Sequence, residues 1–238
     1  MKLDILAFAA HPDDVELGCA GTIASQIAQG YKVGVVDFTY GELGTRGTPE
    51  IRDGEAKLSA KILKLSVREN LGFQDGFFKN DKEHQLEVIK MIRKYRPEIL
   101  LVNAISDRHP DHGRASKLSS ESWFKAGLKE IETTDGGEKQ QTWRPKAVYH
   151  YIQARYIQPD VIVDVSDFWD KKMESLNAFK SQFYDPNSKE EDTFISSPTF
   201  IKGVEARARE FGQTIGVEYG EGFTVERTIG TSDLINLF

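Results

Sequence analysis

LDILAFAAHPDDVELGCAGT (residues 3–22) begins as a continuous apolar run and breaks into a histidine, a proline and two adjacent aspartates. An amphipathic pattern follows. The apolar run reads as a strand buried on both faces, and residues 15–30 read as a helix closed by Gly30. Asp13 and Asp14 repel each other, yet both stand where the chain leaves the core. Two readings are open for the pair. It caps the next helix, where Asp is common, or something positively charged sits beside it.

The same alternation continues along the chain. Residues 32–40 (KVGVVDFTY), a short NLGF segment (70–73), 98–104 (EILLVNA), 147–153 (AVYHYIQ) and 160–165 (DVIVDV) read as strands. Helical spacing occupies 49–65, where Pro49 suits a first turn, and then 83–95, 113–127, 168–183 and 199–212. Residues 133–143 (TTDGGEKQQTW) read as a polar loop, and there is no internal repeat. This order predicts an α/β fold, a Rossmann-like and mostly parallel sheet with helices on both faces, as a single domain over 1–238.

Composition narrows the function classes. The 238 residues are 39% hydrophobic and 29% charged, which suits a soluble globular chain. A net charge of -6, with cations spread throughout, gives no support for a nucleic-acid or membrane-surface partner. No apolar run approaches the roughly 20 residues that span a bilayer. Asp4 interrupts the N-terminal run early, so it reads as a core strand and not a signal peptide. The one cysteine, Cys19, excludes an intrachain disulfide and points to a reducing, cytoplasmic setting.

A second histidine cluster, SDRHPDHGRAS (106–116), directly follows the EILLVNA strand. In open α/β sheets ligands bind beyond the carboxyl ends of strands, where strand order reverses. If these two strands flank that point, His11, His109 and His112 converge with Asp13, Asp14 and Asp111. Imidazole nitrogen with carboxylate oxygen suits zinc and similar divalent metals, and a catalytic zinc needs three protein ligands. A metal would also offset the repulsion between the two aspartates. One carboxylate would then hold it and the other act on water, and a histidine that is not a ligand would polarise the substrate oxygen or protonate the leaving group. The spacing does not say which aspartate does which. Cys19 lies on the apolar face of its helix, His84 on a charged helix and His150 mid-strand, and each reads as structural; Asn103 and Glu42 end strands near the clusters.

AHPDD and HPDH are signatures of the PIG-L/LmbE-like zinc N-deacetylases, and the chain resembles that family further through YGELGTRGTPEIRDGEA (40–56), YIQ (151–153), SQF (181–183) and GVEYGEGF (216–223). Among its members it looks like the bacillithiol biosynthesis deacetylases. The resemblance implies one Zn2+ per chain on His11, Asp14 and His112, with Fe2+ or Co2+ able to share the set. It implies Asp13 as general base, His109 as oxyanion or leaving-group partner with Asp111 orienting it, and Arg52 near the substrate. The implied reaction converts N-acetylglucosaminyl-malate to glucosaminyl-malate and acetate, by an enzyme that forms homo-oligomers up to hexamers. Malate brings two carboxylates, so Arg46 and Arg108, which flank the clusters, join Arg52 as candidate substrate contacts. Some relatives place a loop tyrosine over the oxyanion, and Tyr184 is the one tyrosine between 170 and 218. Competing readings are deacetylation of another N-acetylglucosamine conjugate such as chitobiose, hydrolysis of another bond such as a phosphoester, and a metal-holding module without turnover.

Overall fold

Alternate residues of the first strand, β1 (Ile5–Ala9), serve two cores. Leu6 and Phe8 pack with Phe38, Ile89 and Leu118 on one side. Ile5, Ala7 and Ala9 pack with Val15, Ile23, Tyr151 and Phe223 on the other. Two apolar faces on one strand require helices above and below it. The computed structural model, which describes residues 1–233 and 235, supplies them.

The order is β1, α1 (Asp14–Ala28), β2 (Val33–Asp37), α2 (Pro49–Leu63), β3 (Val67–Asn70), α3 (Lys82–Tyr95), β4 (Ile99–Val102) and α4 (Pro110–Ala126). A small hairpin of β5 (Thr134–Asp135) and β6 (Glu138–Lys139) follows, then β7 (Ala147–Tyr151), β8 (Val161–Asp164), α5 (Trp169–Leu176), α6 (Pro198–Ile215) and β9 (Gly220–Val225). Seven strands form one sheet in the order β3-β2-β1-β4-β7-β9-β8. Pairing is parallel from β3 through β7, and β9 runs antiparallel to both of its neighbours. The fold is therefore the expected mostly parallel α/β sheet. After β1 the chain builds outward through β2 and β3, and α3 then returns it to β4 on the opposite side of β1. The C-terminal ends of β1 and β4 thus flank the point where strand order reverses. No helix among the described residues is long and apolar enough to cross a membrane.

Four elements depart from the sequence reading. The strand expected at 70–73 lies at Val67–Asn70, because Asn70 Oδ1 accepts from the Gly72 amide and Gly72 turns away at φ 64°. The helix expected over 168–183 stops at Leu176, and turns then carry Phe179 and Phe183 into a cluster against Ala56 of α2. The polar loop at 133–143 contains the β5–β6 hairpin, closed by Gly136 and Gly137 at φ 58° and 85°. The strand β9 had no counterpart in the sequence reading, since its three-residue Gly-Glu-Gly start hides the apolar alternation.

Candidate metal centre and catalytic cluster

The turn after β1 is made by His11, Pro12 and Asp13, and Asp13 takes the left-handed conformation (φ 111°, ψ -22°). That region crowds an L side chain and costs about 1–2 kcal/mol. Arg52, reaching over from α2, holds the turn by donating to the carbonyl oxygens of Pro12 (2.7 Å) and Gly41 (3.1 Å). Across the reversal point, Pro110 starts α4 and His109 caps it, its Nδ1 accepting from the Asp111 amide at 3.3 Å. His112 follows within the first turn.

These two turns bring the three histidines together. Ring centroids lie 4.7 Å apart for His11–His109, 5.6 Å for His11–His112 and 5.2 Å for His109–His112. Asp14 joins two of them, with Oδ1 3.0 Å from His112 Nε2 and Oδ2 3.7 Å from His11 Nδ1. Its oxygens are fixed by Gln153 Nε2 (2.9 Å), Asn103 Nδ2 (3.0 Å) and the His11 amide (3.0 Å). Behind each imidazole stands a further carboxylate. Asp75 Oδ1 is 2.9 Å from His11 Nε2, and Asp107 Oδ2 is 2.6 Å from His112 Nδ1. The second pair of contacts leaves His11 Nδ1 and His112 Nε2 aimed at Asp14. A carboxylate behind a histidine is how metal sites fix its tautomer and ring orientation. Two such imidazoles and one carboxylate are donors that fit a divalent metal of the zinc class. One nitrogen each of His11, His109 and His112 also lies within 4.8 Å of the others, as do His11, Asp75 and Asp111 through one atom each.

The local field is strongly acidic. Burial alone would lower the His11 pKa, but Asp111, Asp14 and Asp75 together raise it well above the ordinary imidazole value. His112 behaves alike: burial opposes the proton, yet Asp14 and Asp107 hold it to about 9. Asp14 goes the other way, since burial is outweighed by His112 and His11 and its pKa falls well below the carboxylate range. Asp13 differs from its neighbour. Burial pushes its carboxyl up to about 7, with Arg52 opposing at 3.5 Å and the Asp14 charge adding to the rise. Burial lowers the His109 pKa, and the neighbouring His11 and His112 lower it further.

The candidate substrate arginines separate. Arg46 was expected at the substrate, but its guanidinium is buried and committed to the chain, donating to the carbonyls of Glu191 (2.7 Å), Glu190 (3.3 Å) and Phe183 (3.4 Å). It anchors a loop. Arg52 supports the HPDD turn and pairs with Asp13. Arg108 is exposed, stacks 4.3 Å over Phe194, and lines a cavity of about 270 Å³ that also touches His112 and Gln153. Asp111, expected to orient His109, donates its main-chain amide to His109 Nδ1, while its carboxylate accepts from Gly76 N and pairs with Arg114. Tyr184 is 51% exposed and does not line this cavity. Asp75, Asp107 and Gln153 escaped the sequence reading. Asp107 and Gln153 lie inside segments already quoted, SDRHPDH and YIQ, whereas Asp75 carries no local signal.

Residues 6–123, which hold both histidine clusters, match the family model PIG-L, described as GlcNAc-PI de-N-acetylase. The fold is similar to the crystal structure of the conserved protein TT1542 from Thermus thermophilus, with a TM-score of 0.86, 33% identity and 98% of each chain covered. The sequence is 29% identical to diacetylchitobiose deacetylase of Thermococcus kodakarensis, over 92% of this chain and 81% of the relative. It is 26% identical to a probable N-acetyl-alpha-D-glucosaminyl L-malate deacetylase 2 of Bacillus anthracis, over 75% and 81%. The chain belongs to the PIG-L/LmbE-like deacetylase family.

Proposed function

We propose that this protein is a zinc-dependent N-deacetylase that hydrolyses the acetamide of N-acetylglucosaminyl-malate, giving glucosaminyl-malate and acetate. One observation carries the reading: Asp13 is 5% exposed and its carboxylate is engaged only by Arg52 among the described residues, beside the His11, Asp14 and His112 donors. Metal storage alone needs no second carboxylate at that point. When bound, zinc would supply Lewis-acid polarisation of the amide carbonyl and lower the pKa of water.

The residues divide the remaining work. Asp13 takes a proton from the water attacking the carbonyl carbon, and Arg52 fixes its direction through the Pro12 carbonyl. His109 Nδ1 accepts from the Asp111 amide, so its proton sits on Nε2 and is available to the oxygen that gains charge. The C–N bond then breaks, the amine nitrogen receives the proton, and acetate leaves with the water oxygen. His11, Asp14 and His112 would hold the metal, with Asp75 behind His11 and Asp107 behind His112.

The test is acetate release from N-acetylglucosaminyl-malate together with metal analysis of the same sample. Asp13→Asn is expected to lose at least about 100-fold in kcat, within the range general-base catalysis supplies, and to keep its zinc. Asp14→Asn is expected to lose the zinc. Full turnover in both variants would overturn the assignment.

A further inference from the structure

The cavity beside His112 has an unusual balance of groups. Ile152, Ile195, Val204 and Phe211 contribute to apolar walls, and His112 with Gln153 marks the end nearest the catalytic cluster. Lys172 and Glu221 also line it, but they pair with each other at 2.6 Å, and Glu221 further accepts from the Gly21 and Thr22 amides. The carboxylate of Asp107 is taken up by His112 and by the Arg155 amide at 2.7 Å. Two cations remain. Arg108 lies over the Phe194 ring, and half-buried Arg207 of α6 donates one bond to the Ala154 carbonyl at 2.6 Å. Neither has a carboxylate within 4.0 Å among the described residues. Asp107 and Glu210 are the acids that face Arg207 at longer range. The remaining guanidinium donors of both arginines stay open to the cavity and its solvent, so they are free to engage a ligand that enters it.

We propose that Arg207, with Arg108, binds an anionic group on the aglycone of the substrate and so selects acidic N-acetylglucosaminides over neutral ones. This rests on the deacetylase reading and adds a determinant to it. A guanidinium accepts a carboxylate or a phosphate in the same forked geometry, so the shared requirement is a planar or tetrahedral oxyanion. The apolar walls of the same cavity suit the less polar face of a sugar and offer little to a neutral, heavily hydroxylated second residue.

The test measures acetate release from N-acetylglucosaminyl-malate and N-acetylglucosamine 1-phosphate against neutral N-acetylglucosamine and diacetylchitobiose. The wild-type enzyme is expected to have a lower KM for at least one anionic substrate. Arg207→Met should raise that KM about 10- to 100-fold, the worth of a charge-assisted hydrogen bond. KM for the neutral substrates should change less than about 2-fold, and Arg207→Lys should recover part of the loss. Added salt should raise the anionic KM selectively. Equal losses on neutral and anionic substrates would assign Arg207 to holding the Ala154 loop and overturn the proposal, as would a wild-type enzyme indifferent to charge. Acetate from none of the four would instead overturn the deacetylase reading itself. In that event calorimetric binding of N-acetylglucosaminyl-malate and N-acetylglucosamine to wild type and Arg207→Met still decides the anion preference.

Discussion

Asp75 and Asp107 stand behind the two imidazoles proposed to hold the metal, and they decide which nitrogen of each ring faces Asp14. With Asp107 Oδ2 2.6 Å from His112 Nδ1, the opposite nitrogen, Nε2, is the one left to face Asp14. Asp75 does the same for His11 from the other side of its ring. Asp107→Asn keeps an oxygen in place but removes the charge that makes the imidazole a stronger donor. Zinc affinity in that variant, read by chelator competition, is expected to drop about 10- to 100-fold, the usual effect of losing such a partner. The unfolding midpoint of the metal-free protein should stay close to wild type. A variant that binds zinc with unchanged affinity would make Asp107 merely an anchor for the Arg155 amide. HPDD and HPDH were visible in the sequence because their donors are contiguous and follow apolar strands. Asp75 was not, since 64 residues separate it from His11 and only the fold joins them.

Within α1 the backbone breaks at Cys19 (φ -150°, ψ 19°), so a continuous helical pattern at 15–30 conceals two helical pieces. The break leaves amides and carbonyls without helical partners, and two distant elements satisfy them. Glu221 of β9 accepts from the Gly21 (3.0 Å) and Thr22 (2.6 Å) amides, acting as the cap of the second piece. Lys172 of α5 donates to the Leu17 carbonyl (2.8 Å) and pairs with Glu221. Both side chains are almost wholly buried. Removing one charge strands the other, so Glu221→Ala is expected to destabilise by about 3–5 kcal/mol in urea unfolding. Glu221→Gln, which retains one acceptor, should lose less. The kink also sets Gly18 against Tyr151, where a Cβ would overlap the ring. A helix read by periodicity cannot show a kink whose caps come from residues 172 and 221, and β9 itself was missed.

Across the whole molecule, the sheet order puts many buried acids at one end. The alternation of strands and helices made the α/β class legible, but it left open whether β1 and β4 flank the reversal, which the strand order and the parallel pairing of Ile5 with Ile99 supply. It could not show how many acids would meet there, because Asp75 and Asp107 come from connecting loops. Asp13, Asp14, Asp75, Asp107 and Asp111 all lie within the same few turns, and all are buried. The nearby arginines offset only part of this charge: Arg52 lies 3.5 Å from Asp13 and Arg114 pairs with Asp111. A divalent cation among these groups would therefore stabilise the folded chain as a ligand that binds the native state alone, by about 4 kcal/mol when zinc is at 1,000 times its dissociation constant. Thermal unfolding should show this directly. Chelation is expected to lower the midpoint of the wild-type protein and added zinc to restore it, while Asp14→Asn should respond to neither. A wild-type midpoint indifferent to chelator and zinc would mean that the arginines and the protonated histidines already balance the acids, and that the cluster holds no metal of consequence to the fold.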